Sequence, residues 1–155
     1  MWVVLAHVVD GWSVLYSDSA VTRTLVGFAH IGGLLVSGGY ALTEDRRILT
    51  TNRAPGGVTD PARSAHGIVL SGLALVMTSG LLLFAADVEI YSRSPAFWIK
   101  MGLVLALLAN GWMLRRAEAG VMRSATAWPR LRRAAAVSAM LWLLTTLAGT
   151  VLPNV

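Results

Sequence analysis

Apolar residues run through the chain in four blocks of about twenty, and the polar residues collect in short clusters between them. The blocks cover Thr24 to Thr43, Gly67 to Ala86, Ala96 to Leu114 and Arg132 to Val151. At about 1.5 Å per residue each is long enough as a helix to cross a hydrocarbon core of roughly 30 Å. Their ends carry stops: Glu44, Asp45, Arg46 and Arg47 after the first, Asp87 after the second, Pro95 before the third and Pro153 after the fourth. Ahead of them, Trp2, Leu5, Val9, Trp12 and Tyr16 recur at helical spacing with His7, Asp10 and Ser13 between. That stretch is too short to span and predicts an amphipathic helix on the membrane surface within residues 1–23. No Lys or Arg precedes it and Asp10 interrupts it, so a cleavable signal peptide is not the expectation. The fold expected is therefore all-α, a transmembrane four-helix up-down bundle over residues 24–155 with an N-terminal surface helix.

Composition agrees with the pattern. Of 155 residues 55% are hydrophobic and only 14% charged, and the mean hydropathy is +0.64, too apolar for a soluble domain of this size. Cysteine is absent, which excludes disulfides, thiolate metal sites, iron–sulfur clusters and cysteine nucleophiles. No repeat of solenoid length is visible.

The net charge of +5 in a soluble protein would suggest nucleic acid, but the arginines follow membrane topology. Arg46, Arg47, Arg53 and Arg63 fall in the first connection, and Arg115, Arg116, Arg123 and Arg130 in the third, with Arg132 and Arg133 just beyond. The second connection, Asp87 to Pro95, holds Asp87, Glu89 and only Arg93. The positive-inside rule puts the two basic connections in the cytoplasm and both termini outside. The partner these charges imply is the lipid bilayer, and no nucleic acid is expected. The first connection, with Asn52, Pro55, Gly56, Gly57 and Pro61, is built from turn formers and predicts a plain connector.

Inside lipid, small residues that let backbones approach and polar residues that bond across helices carry the information. Ala29, Gly33, Ser37 and Ala41 form a small-xxx-small stripe on the first span, bordered by His30. Either a neighbouring helix or a planar cofactor approaches that face. Lys100, Leu103, Leu107, Asn110 and Leu114 share one face of the third span, so its only charge and its only amide point the same way, into the bundle; snorkelling of Lys100 beside Trp98 is the alternative. Counted from span centres, His30 lies roughly 5 Å and Lys100 roughly 7 Å outward of the midplane, so they can be neighbours. His66, roughly 20 Å from His30 along the normal, cannot share an iron with it and reads as an interfacial residue. Met77 and Met140 lie near the depth of His30, and thioether with imidazole is a ligand set that suits Cu(I). No serine–base pair, phosphate-cradling loop or intramembrane carboxylate pair is present, so hydrolase, kinase and carboxylate proton-relay readings have no support; the sequence leans away from an enzyme without deciding it and assigns no catalytic residue.

The segments FAHIGGLLVSGGYALTEDRR and GLLLFAADVEIYSRSPAFWIKMGLVLALLANG resemble a broad group of small four-helix bacterial inner-membrane proteins. The group includes the copper-resistance D-like families, several uncharacterised families and the haem-binding protoporphyrinogen oxidase of the HemJ type. The likeness covers roughly Thr24 to Leu152. In the HemJ type a histidine early in the first span and a lysine early in the third are the functional pair, and the matching positions are His30 and Lys100. The basic and aromatic residues that follow the first span in that oxidase are replaced by Glu44, Asp45, Arg46 and Arg47, so the resemblance implies a shared scaffold more than a shared reaction. It implies a location in the bacterial inner membrane.

Three functional expectations follow. In the first, the outer half of the bundle binds haem b or a related tetrapyrrole, with His30 as axial ligand, Gly33 and Ser37 admitting the macrocycle and Lys100 pairing with a propionate or redox substrate. The second is a non-catalytic accessory subunit of a larger respiratory or photosynthetic complex, docking through its small-residue faces and surface helix. The third is copper handling through His30, Met77 and Met140.

Overall fold

A computed structural model of the chain describes residues 2–51, 61–121 and 123–151. The connector from Asn52 to Asp60 and the side chains of Trp2, Leu5, His7 and His66 lie outside the described residues.

The described chain is helical throughout: α1 (Trp2–Asp18), α2 (Ala20–Thr50), α3 (Pro61–Ala86), α4 (Val88–Arg93), α5 (Pro95–Val121) and α6 (Trp128–Val151), with a 3-10 turn at Ala125–Ala127 before α6. Four of these, α2, α3, α5 and α6, are long and apolar enough to cross a membrane, and the protein is a four-span, all-α membrane protein with a short N-terminal helix. Two spans run past their expected stops. The Glu44 to Arg47 cluster stays helical to Thr50, and Arg115 and Arg116 stay inside α5. Charged residues do not end a helix; they end only the stretch that lipid will hold. The second connection forms α4, because Asp87 caps it through Ile90 N–H at 3.3 Å and Glu89 pairs with Arg93 one turn on at 2.8 Å.

The long helices pack side by side in the order α3, α2, α6, α5, each antiparallel to its neighbour. Small residues set this order. A Cβ at Gly33 would meet the Gly72 carbonyl oxygen at 2.9 Å, and one at Gly72 would meet the Ser37 Cβ at 2.9 Å, so the α2 and α3 backbones are in direct contact. On α6, Leu131, Ala135, Ser138, Trp142 and Thr145 are buried at alternating spacings of four and three, the spacing of a helix-packing seam. Asn110 fixes α5 on α6 by donating its Nδ2–H to the Ala134 carbonyl at 3.1 Å. Near the arginine-rich connections, Ile48, Leu131 and Ala135 form a dry core, and Arg132 donates to the Leu49 carbonyl at 2.9 Å, satisfying the last turn of α2.

α3 and α5 are not packed neighbours. The bundle is open between them, closed only toward the termini by Phe84 stacked on Phe97 at 5.1 Å, with Tyr91 and Trp98 against Phe97. The remaining helix faces are apolar and uncovered, Phe28, Leu35 and Leu105 among them, as lipid-facing surfaces are. The N-terminal helix is bound to the bundle and not merely beside it. Trp12 Nε1–H donates to the Leu82 carbonyl and the Ser13 hydroxyl to the Ala86 carbonyl, both at 2.8 Å; the Ala86 carbonyl is one that the last turn of α3 leaves open, and Leu82 takes Trp12 as a second donor.

Candidate functional site

His30 sits on α2 facing α3, toward the end of the bundle that carries the termini. Its Nδ1 lies 3.1 Å from the Ser79 hydroxyl, and that hydroxyl bonds back to the Leu75 carbonyl at 2.6 Å. When the Ser79 proton goes to Leu75, the serine oxygen is placed to accept from Nδ1–H, and in that tautomer Nε2 carries the lone pair; the Val76 backbone also hydrogen-bonds the ring. The ring fits because residue 80 is glycine: a Cβ there would stand 3.2 Å from His30 Cε1. Neither Ser79 nor Gly80 is marked by sequence as part of a site, although both recur on the α3 face that carries Gly72 and Val76.

Lys100 occupies a matching notch on the other side. Its Nζ lies 3.6 Å from where a Gly149 Cβ would stand on α6. The ammonium is within electrostatic reach of His30 and has no carboxylate partner among the described residues. Leu107 and Asn110, on the same α5 face, are buried, which places Lys100 on the side of α5 that faces α6. One turn along α6 from Gly149, Thr145 is buried and its hydroxyl has no hydrogen-bond partner among the described residues. The structure therefore gathers His30, Ser79, Lys100 and Thr145 toward one end of the bundle, with lone-pair, cationic and hydroxyl groups at hand.

Gly33 and Ser37 are placed differently from His30. Both are buried, the Ser37 hydroxyl donates to the Gly33 carbonyl at 2.6 Å, and the space over Gly33 is filled by Gly72 and Val76 of α3. The approach that the stripe invites is made by a helix. Met77 on α3 and Met140 on α6 are 42% and 59% exposed, on helices lying on opposite sides of α2. Among the described residues no group of three His, Cys, Asp or Glu side chains could hold a metal ion.

A second polar centre lies toward the arginine-rich end. Asp45, which the sequence presents as a stop after the first span, is only 1% exposed and lines a cavity of about 320 Å³ between α3 and α5. Its position continues the stripe Gly33, Ser37, Ala41 at a spacing of four, and that periodicity is the signal that could have marked it as inward-facing. The chain matches no protein-family model, no curated protein and no solved structure.

Proposed function

We propose that the half of the bundle nearest the termini, on the periplasmic side, holds haem b or a related tetrapyrrole, with His30 as axial ligand through Nε2. The observation that carries this reading is the His30–Ser79 pair, in which a hydroxyl meets one ring nitrogen and leaves the other for a metal, beside a lysine with no counter-charge among the described residues. A ligating histidine is held in this way by its second-shell partner. The residues fit the group in two respects: His30 supplies the ligand, and Lys100, with the unpartnered Thr145 hydroxyl, supplies polar partners for a carboxylate-bearing edge. They do not fit through the Gly33 and Ser37 stripe, which α3 fills. The resemblance of His30 and Lys100 to the HemJ-type pair supports the same assignment. When bound, the tetrapyrrole would supply one-electron or porphyrin chemistry; the chain's own part is to hold the imidazole tautomer, offer a positive charge and exclude water behind the Phe84–Phe97 pair. The test is the oxidised and dithionite-reduced absorption spectrum of protein purified in mild detergent. Wild type should show a Soret band and a reduced α-band, His30→Ala should lose both, and a colourless wild-type protein would refute the reading.

A second reading, an accessory subunit of a larger membrane complex, is favoured by a different observation. Gly32 and Gly39 lie on the α2 side away from Gly33, with nothing within 4 Å of where a Cβ would stand. Close helix packing needs such positions, and a native gel of mildly solubilised membranes should then show the protein in a high-mass band; a lone monomer opposes it.

A further inference from the structure

The cavity at the arginine-rich end is built unlike the site around His30. Its walls are Leu70 and Leu73 from α3 and Leu107 and Leu108 from α5, and its inner side is formed by Trp142 and Ser138 of α6 and Asp45 of α2. Its volume of about 320 Å³ lies at the small end of ligand pockets, which run from about 300 to 1,000 Å³. It opens along the unpacked α3/α5 side, the direction from which a membrane-dissolved molecule would come.

Asp45 sets the chemistry. The Ser138 hydroxyl lies beside its carboxyl, yet Oδ2 is buried with no hydrogen-bond partner among the described residues. A buried carboxylate oxygen left in that state is costly unless a cation or donor meets it. The nearest neighbours do not supply one. Glu44 and Glu118 lie within electrostatic reach and add negative charge, and Arg47 is taken up by Glu44 at 2.9 Å. Arg115 is the one cationic side chain in the lining. Trp142, 5% exposed, adds an aromatic wall, whereas the ring of Trp112 is already covered by the Arg116 guanidinium at 3.7 Å. A carboxylate beside an indole, behind apolar walls that open to lipid, is the combination that recognises a hydrophobic ammonium.

We propose that this cavity binds a lipophilic organic cation, entering between α3 and α5, with Asp45 as counter-ion and Trp142 as aromatic wall. The occupant is a small molecule carrying a quaternary or protonated amine on an apolar body. The site is separate from His30 and stands whether or not a tetrapyrrole is bound there.

The test is equilibrium dialysis of radiolabelled benzyltrimethylammonium against the full chain in an uncharged detergent, with neopentylbenzene as the uncharged isostere. Wild type should bind the cation saturably at one equivalent, and neopentylbenzene should compete poorly. Asp45→Asn, which keeps shape and removes charge, should weaken binding by about ten-fold or more. Leu108→Trp, at an exposed lining position, should block the cavity, while Leu105→Trp, on the same helix but outside the lining, should bind as wild type; the pair keeps the test valid if the Asp45 variant folds poorly. Absence of saturable binding by wild type, binding by Asp45→Asn within two-fold of wild type, undiminished binding by Leu108→Trp, or equal competition by neopentylbenzene would each overturn the proposal.

Discussion

Replacing Gly33 by alanine asks whether the stripe on α2 is a packing seam. A Cβ at this position would stand 2.9 Å from the Gly72 carbonyl oxygen, 2.9 Å from Val76 Cγ2 and 3.1 Å from Val76 N. Two of these three neighbours are backbone atoms, so no rotamer change relieves the contact. Carbon atoms prefer about 3.5–4.0 Å, so α2 and α3 must separate locally by about 0.5–1 Å, and a gap of that size forfeits about a quarter to a half of each affected dispersion contact. Overpacking of a tight interface of this kind costs about 1–3 kcal/mol. Gly32→Ala is the internal control, because nothing lies within 4 Å of its Cβ; it should be neutral or gain up to about 1 kcal/mol from helix propensity. The assay is SDS titration of both variants in mixed micelles, followed by far-UV circular dichroism. Gly33→Ala should unfold at a lower SDS fraction than wild type and Gly32→Ala should not. Equal midpoints for the two variants would refute the direct backbone contact between α2 and α3.

Three further outcomes follow from named contacts. Ser79→Ala removes the partner of His30 Nδ1 and should cost about 0.5–1.5 kcal/mol in the same titration, within the range of hydrogen bonds between membrane helices; if a tetrapyrrole is bound, its spectrum should shift without being lost. Trp12→Phe combined with Ser13→Ala removes both bonds from α1 to the end of α3, and amide exchange over residues 9–18 should rise sharply while exchange in α2 is unchanged. The chain has no cysteine, so single cysteines report topology against a clean background: Ser92→Cys should react with a membrane-impermeant maleimide on intact spheroplasts and Ser124→Cys only after permeabilisation.

The class of the protein was legible from its sequence because lipid imposes a long, unambiguous signal. Four apolar runs of spanning length and polar clusters between them leave little besides a helical membrane protein. The inward face of α5 was legible as well, since Lys100, Leu107 and Asn110 recur at helical spacing and Leu107 and Asn110 are buried. What covers the Gly33 stripe was not. A small-residue face states that something comes close, and only the structure identifies it as Gly72 and Val76 of α3. The partners Ser79 and Gly80 were equally hidden, because sequence spacing orders residues along one helix and carries nothing about the rotation of the next. Asp45 shows the limit most sharply. Along the chain it belongs to a charged cluster that marks the end of a span, and in three dimensions it continues the buried stripe and lies against α6 beside Ser138. Local sequence thus determined the helices, their lengths and their apolar faces, through periodicities that act within a few turns. Tertiary structure alone decided which helices touch, that the bundle stays open between α3 and α5, and which polar groups are left without partners, because those depend on backbone approach between segments far apart in the chain.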